Sequence, residues 1–197
     1  WNGSSWTEIA EVNTARSGGQ AFGITTASIF SGGYTPGDSI VANTEYWNGS
    51  SWTELNDMTT LRVNFANWGV YNSGGMAGGS SPTRTNHETW DGTSWTETTD
   101  INEGRNNAGG SSDGTQTSII IFGGNDPSPG YLATNEFWNG TSWTEVNDLS
   151  AGRYGMAATG ASSNNAMAIG NYPSQSNANT WEHFVAADFE IKTVTTS

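Results

Sequence analysis

The chain has 197 residues, no cysteine, and a formal charge of −13 from 19 acidic and 6 basic side chains. The missing cysteine excludes disulfides, thiolate metal sites and thiol nucleophiles, and the acidic balance argues against phosphate backbones and anionic lipid surfaces as partners. Only 34% of the residues are hydrophobic, yet 10 are Trp, so burial must rest on a few large rings that each remove roughly 150–250 Å² from water. No apolar run approaches the roughly 18 residues of a membrane-spanning helix, and no signal peptide is recognisable.

Taken in chain order, the first feature is the string WNGSSWTE over residues 1–8. It returns at Trp47, as WDGTSWTE at Trp90 and as WNGTSWTE at Trp138, with a degenerate fifth start at Trp181. A period in the forties predicts a propeller blade or a solenoid unit rather than one irregular fold. Ten residues after each second tryptophan (Trp6, Trp52, Trp95, Trp143) stands an arginine: Arg16, Arg62, Arg105 and Arg153. Five residues after the same tryptophans stands an acid: Glu11, Asp57, Asp100 and Asp148. Local pairing of each arginine with that acid is the expectation. A Gly-Gly pair follows in three units, ending at Gly33, Gly79 and Gly124, and weakens to Gly170-Asn171 in the fourth.

Between these anchors lie the predicted strands. Residues 16–24 and 27–33 give two, clearest in the third unit over residues 118–122. The two tryptophans then flank an Asn-Gly turn, a strong hairpin signal. Four short strands per period and no sustained helical periodicity predict an all-β propeller of four-stranded antiparallel blades.

Arginine, a Gly-Gly pair and two spaced aromatics across a hairpin resemble the kelch repeat, and the resemblance covers the chain to about residue 185. The fixed WNGSSW turn is similar to repeats in phage tail-associated and bacterial surface proteins. The resemblance implies a structural arginine in each repeat and packing of the repeated tryptophans between blades. The opening hairpin lacks its first strands, and the tail TWEHFVAADFEIKTVTTS lacks the Trp hairpin. Residues 186–197 therefore read as a blade-closing strand or an exit segment. Four full units and a partial one leave open a five-bladed ring or part of a larger propeller, because an unclosed arc exposes strand edges.

Few residues suggest chemistry. His87 and His183 share no metal-ligand spacing and read as surface or capping residues. There is no nucleophile elbow, P-loop or dinucleotide fingerprint. No metal or cofactor is expected. Trp68 and Arg84 stand outside the repeat pattern; Trp68 is read as core. The Asn-Gly-Ser/Thr triplets at Asn2, Asn48 and Asn139 are also glycosylation sequons, but Asp91 fills the same place in the third copy, so turn geometry explains them better.

Function in such a fold belongs to the loops that differ between blades. Here these are residues 34–42, 80–86, 125–133 and 171–178, carrying Tyr34, Asp38, Arg84, Asp126, Tyr131 and Tyr172 as candidate ligand-binding residues on one face. Tyrosine among Asn, Ser and Gly makes an adaptable contact surface. The expectation is a non-catalytic recognition module, extracellular or on a virion, that binds a glycan or a surface protein. A structural spacer or assembly subunit is the alternative, with neighbouring appendage subunits as its partners, and a propeller glycosidase or sugar epimerase ranks last.

Overall fold

The computed structural model describes residues 3–80, 84–126, 130–162, 164–170, 181–185 and 190–194. Every regular element among them is a β-strand, and four four-stranded antiparallel sheets form the blades of a β-propeller. Blade 1 contains β1 (Gln20–Ile24), β2 (Ala27–Ser31), β3 (Thr44–Trp47) and β4 (Trp52–Glu54). Blade 2 contains β5 (Ala66–Val70), β6 (Ser73–Ala77), β7 (His87–Trp90) and β8 (Trp95–Glu97). Blade 3 is built from β9 (Gly109–Gly110), β10 (Ile119–Phe122), β13 (Asn135–Trp138) and β14 (Trp143–Val146). A small hairpin of β11 (Asn125–Asp126) and β12 (Gly130–Tyr131) interrupts that blade. Blade 4 consists of β15 (Ala157–Ser162), β16 (Asn165–Ile169), β17 (Trp181–Val185) and β18 (Glu190–Val194).

The Trp hairpin is tied by its first polar residue. Asn48 Oδ1 accepts from the backbone N–H of Ser50 and of Ser51, both at 2.9 Å, and Asp91 Oδ1 and Asn139 Oδ1 do the same in the next two blades. Only an oxygen acceptor is needed there, which is why Asp replaces Asn. Gly49 sits at φ 93°, a conformation suited to glycine. The two tryptophans come out opposite each other, Trp47 with Trp52, Trp90 with Trp95 and Trp138 with Trp143, with ring centroids 5.2–5.4 Å apart.

These rings feed the seams between blades. Phe22, Ile29 and Met58 meet Met76, Trp90 and Trp95 between blades 1 and 2. Trp68 and Ala77 meet Ile119, Ile121, Trp138 and Trp143 between blades 2 and 3. Ile120, Phe122 and Leu149 meet Ala166, Ala168 and Phe184 between blades 3 and 4. Trp68, 0% exposed, belongs to this core. Trp52 is only half-buried and Trp6 is 83% exposed, so the packing role does not extend to every copy.

The Gly-Gly pair joins consecutive repeats. Gly33 N donates to Arg62 O at 3.0 Å, Gly79 N to Arg105 O at 2.9 Å and Gly124 N to Arg153 O at 2.8 Å. A Cβ on the preceding glycine, Gly32, Gly78 or Gly123, would lie 2.4–2.6 Å from the same carbonyl oxygen. A side chain cannot fit there without moving the next blade.

The arginine does not pair with the acid five residues earlier. Its partner is a glutamate on the third strand of its own blade: Arg16 with Glu45 and Arg62 with Glu88 at 2.5 Å, Arg105 with Glu136 at 2.9 Å, and Arg153 with Glu182. All eight side chains are 2% exposed or less. Asp57 instead accepts from Thr44 N, and Asp100 from Thr85 Oγ1. Each buried glutamate also accepts backbone N–H groups of the incoming linker: Asn13 for Glu45, Thr59 for Glu88, Asn102 for Glu136 and Ser150 for Glu182. These extra donors explain why the local acid loses. A buried pair persists only when further hydrogen bonds satisfy its remaining polar atoms, and the third-strand glutamate gains them from the linker.

The fourth blade departs from the repeat. Trp181 lies opposite Ile169 and precedes Glu182, so it occupies the place of Asn135, not of Trp138. Phe184 takes the first Trp position, and Glu190–Val194 forms the fourth strand. The degenerate fifth start is thus part of blade 4.

Candidate functional site

The innermost strands and the linkers that lead into them surround the propeller axis. The second residue after each repeat arginine is held at positive φ: Gly18 (69°), Asn64 (56°), Asn107 (50°) and Gly155 (64°). Glycine and asparagine tolerate that region best, and here it turns the chain into the inner strand. Successive copies are linked, with Asn64 N donating to Gly18 O (3.1 Å), Asn107 N to Asn64 O (2.7 Å) and Gly155 N to Asn107 O (3.0 Å).

Beside these turns lies a cavity of about 280 Å³, walled by inner-strand residues of all four blades, including Gln20, Ala66, Gly110 and Ala158. Small side chains make the room, and Gln20, Asn64, Asn67, Asn107 and Ser112 supply polar groups without charge. Asn67 Nδ2 donates to Ala21 O at 2.6 Å, which fixes the amide across the first seam. An uncharged wall of amides offers both donors and acceptors. That chemistry suits hydroxyl-rich ligands better than ions.

The loops joining the second and third strands of blades 1 to 3 lie at the same end as these turns. Tyr34 is half-buried, bridges Ser17 and Ile40, and lies beside Gly18. Asp38 is exposed at φ 58°, its N–H donating to Thr35 O. Arg84 is half-buried; its carbonyl accepts from Arg105 N, and its Nη1 lies 3.5 Å from Asn125 O. Asp126 is half-buried in β11. Tyr131 is 49% exposed and stacks on Tyr154, with centroids 5.2 Å apart and planes within 19°. Tyr172 lies outside the described residues.

Three of the candidates sit at seams, where one blade's loop meets the linker of the next. Tyr34 stands at the first, Arg84 with Asn125 at the second, and Tyr131 with Tyr154 at the third. Tyr154 precedes Gly155, which lines the cavity, so this stack lies next to the cavity wall. Tyr154, Asn64 and Asn107 were not singled out from sequence. The signal was present as Arg-x-Gly/Asn at residues 16–18, 62–64, 105–107 and 153–155.

His87 is neither a surface nor a capping residue. It is fully buried at the second seam, with the Trp138 ring 4.7 Å, the Trp143 ring 5.2 Å and the Trp68 ring 5.5 Å from its own. Its Nδ1 lies 3.2 Å from both Trp143 Nε1 and Thr99 O. Burial lowers its pKa from 6.5 to about 4, and the nearby Arg62 charge adds to that shift, against the Thr99 hydrogen bond. The imidazole is neutral at pH 7 and serves as packing. His183 is half-buried, with Nε2 2.7 Å from Asn165 Oδ1.

Among the described residues no group of three or more His, Cys, Asp or Glu is placed to hold a metal ion. No helix there is long and apolar enough to cross a membrane. The chain matches no protein-family model and no curated protein.

Proposed function

We propose that the chain is a non-catalytic recognition module built on kelch-like repeats, carried on an extracellular or virion appendage, that binds a glycan or a surface protein through its loops. The observation that carries this reading is a division of labour among the polar residues. The repeat arginines are all buried in pairs with third-strand glutamates, whereas the loops between second and third strands differ in sequence from blade to blade. The blade 3 loop presents Tyr131, stacked on Tyr154 of the next linker, beside an amide-lined cavity.

Aromatic faces and amide groups are what a neutral sugar needs. Its C–H face packs on a ring, and its hydroxyls both donate to and accept from Asn and Gln. The charge of −13 supports a partner without phosphate or sulfate. No cofactor, metal or nucleic acid has a part in this reading.

A glycan array probed with the purified chain, alongside binding to intact cell surfaces, tests it. Selective binding to neutral glycans or to a surface protein is the expected result. Silence across both would overturn recognition and leave the spacer or assembly role.

A further inference from the structure

The hairpin turns between the paired tryptophans hold a set of groups that the packing of the blades does not use. Two conditions shape each turn. Its first residue supplies a side-chain oxygen to cap the N–H groups that follow, and its second takes positive φ: 93° at Gly49, 94° at Gly92 and 96° at Gly140. Asparagine meets the first condition and glycine the second. In blades 1 and 3 the fold therefore sets Asn directly before Gly, at Asn48-Gly49 and Asn139-Gly140, and all four residues are exposed to water. Among the described residues, the N–H of Gly49 and that of Gly140 make no hydrogen bond. With no Cβ to shield it, each of these nitrogens, once deprotonated, is an open nucleophile next to a side-chain amide.

The amide is held as an acyl group is held for attack. Asn48 Oδ1 accepts from Ser50 N and Ser51 N, both at 2.9 Å, and from the Ser50 hydroxyl at 3.0 Å. Donors so placed stabilise the negative charge that grows on a carbonyl oxygen when its carbon is attacked. Asn48 Nδ2 lies 3.2 Å from Ser51 Oγ, a hydroxyl through which a proton can pass to a departing nitrogen. Asn139 has the two N–H donors, Thr141 at 2.9 Å and Ser142 at 3.0 Å, and its Nδ2 lies 3.3 Å from Ser142 Oγ. Among the described residues its oxygen receives no third donor from the Thr141 hydroxyl.

Blade 2 shows how the same turn holds an aspartate. Asp91 Oδ1 accepts from Thr93 N and Ser94 N, both at 2.8 Å, and Oδ2 lies 3.3 Å from Ser94 Oγ. The Ser94 N–H, followed by that of Thr93, holds the Asp91 carboxyl below its usual range. The cradle thus favours negative charge on the capping oxygen. The hairpin also closes on aspartate as it does on asparagine, with Trp90 opposite Trp95 as Trp47 is opposite Trp52.

We propose that the turns at Asn48 and Asn139 are self-modifying sites, each converting its asparagine to aspartate with loss of ammonia. In the first turn the Gly49 nitrogen gives up its proton to solvent and bonds to Asn48 Cγ. The Cγ–Nδ2 bond breaks, and Nδ2 leaves as ammonia after taking up a proton by way of Ser51 Oγ. Water then adds to Cγ of the cyclic imide, the bond from Cγ to the Gly49 nitrogen breaks, and that nitrogen regains its proton. The balance is one water in and one ammonia out, with no oxidant or reductant. Opening at Cγ is favoured because its oxygen is the one that the N–H donors polarise. Opening at the backbone carbonyl gives isoaspartate, which routes the chain through the side chain and breaks the hairpin. Each conversion adds one negative charge to a chain already at −13.

The test is incubation of the folded wild-type chain in mildly alkaline buffer, followed by peptide mass mapping that separates aspartate from isoaspartate. Asn48 and Asn139 should each gain one mass unit ahead of every asparagine that no glycine follows, and aspartate should exceed isoaspartate at both. Asn48 should convert about fivefold faster than Asn139, the weight of its third donor. In urea, where no donors are held on the oxygen, the excess of aspartate should vanish. Ser50→Ala should slow Asn48 by about the same factor and leave Asn139 unchanged. Asn48→Asp, the product itself, should keep the wild-type Tm. No conversion in the folded chain would overturn the proposal, because the same bonds would then be holding the amide out of reach. An aspartate-to-isoaspartate ratio equal to that in urea would overturn it too, as would Ser50→Ala without effect or a lower Tm for Asn48→Asp.

Discussion

Where each linker meets its blade, Arg62 with Glu88 and Arg105 with Glu136 repeat one arrangement, down to the carbonyls that the guanidinium reaches: Gly78 and Asn86 in one, Gly123 and Thr134 in the other. The loops beside them share only their base, where Tyr34 bridges Ile40 in blade 1 and Asn125 pairs with Tyr131 in blade 3. Between those pairs the sequences diverge, TPGDS in one and DPSPG in the other. The rim residues are fixed by burial, since an arginine without water tolerates one set of partners. The loops face solvent and carry no such constraint, so they can differ and acquire a ligand. Repetition here marks what holds the fold, and divergence marks where recognition can reside.

The sharpest break of the rim is Arg105→Met. It leaves Glu136 buried without its cation, and urea unfolding should show a loss of about 3–5 kcal/mol. Loss below about 1 kcal/mol would mean that the linker N–H groups alone satisfy the glutamate.

Next is the acid response of the second seam. His87 takes up its proton near pH 6.5 when unfolded but only near pH 4 when folded. Between those values the unfolded state binds more protons, so stability falls as the pH drops, by about 3 kcal/mol, and levels off below pH 4. His87→Asn, which installs the residue that blade 3 uses in this place, should remove that part of the slope. An identical slope in both proteins would show that His87 is not the group responsible.

Smaller again is Gly78→Ala. The residue sits at φ 73° and its Cβ would lie 2.4 Å from Arg105 O, so a cost of about 1–3 kcal/mol is expected. Stability equal to wild type would show that the Arg105 carbonyl yields to a side chain.

Much of the fold was legible because its signals are local and recur in step: the Trp pair, the arginine and the Gly-Gly pair. The partner of the arginine was harder to read. Glu45, Glu88 and Glu136 each lie two residues before a tryptophan, a recurring Glu-x-Trp, but 26 to 31 residues from their arginines. A nearer acid was available in every repeat, and burial rather than spacing decided between them. His87 was misread for a related reason. Its neighbours Trp68, Trp138 and Trp143 come from another strand and the next blade, so nothing local announces an aromatic box. The loop candidates were found as positions, while their arrangement at successive seams depends on how the blades stack.

Tyr131→Ala separates rim from loop most directly. With Tyr131 half in water and outside the core clusters, its loss should leave Tm unchanged, within about 0.5 kcal/mol of stability. On the same glycan array and cell-surface assay that shows binding by the wild-type chain, the variant should lose most of its signal. Full binding by Tyr131→Ala at an unchanged Tm would contradict a loop face that recognises the ligand.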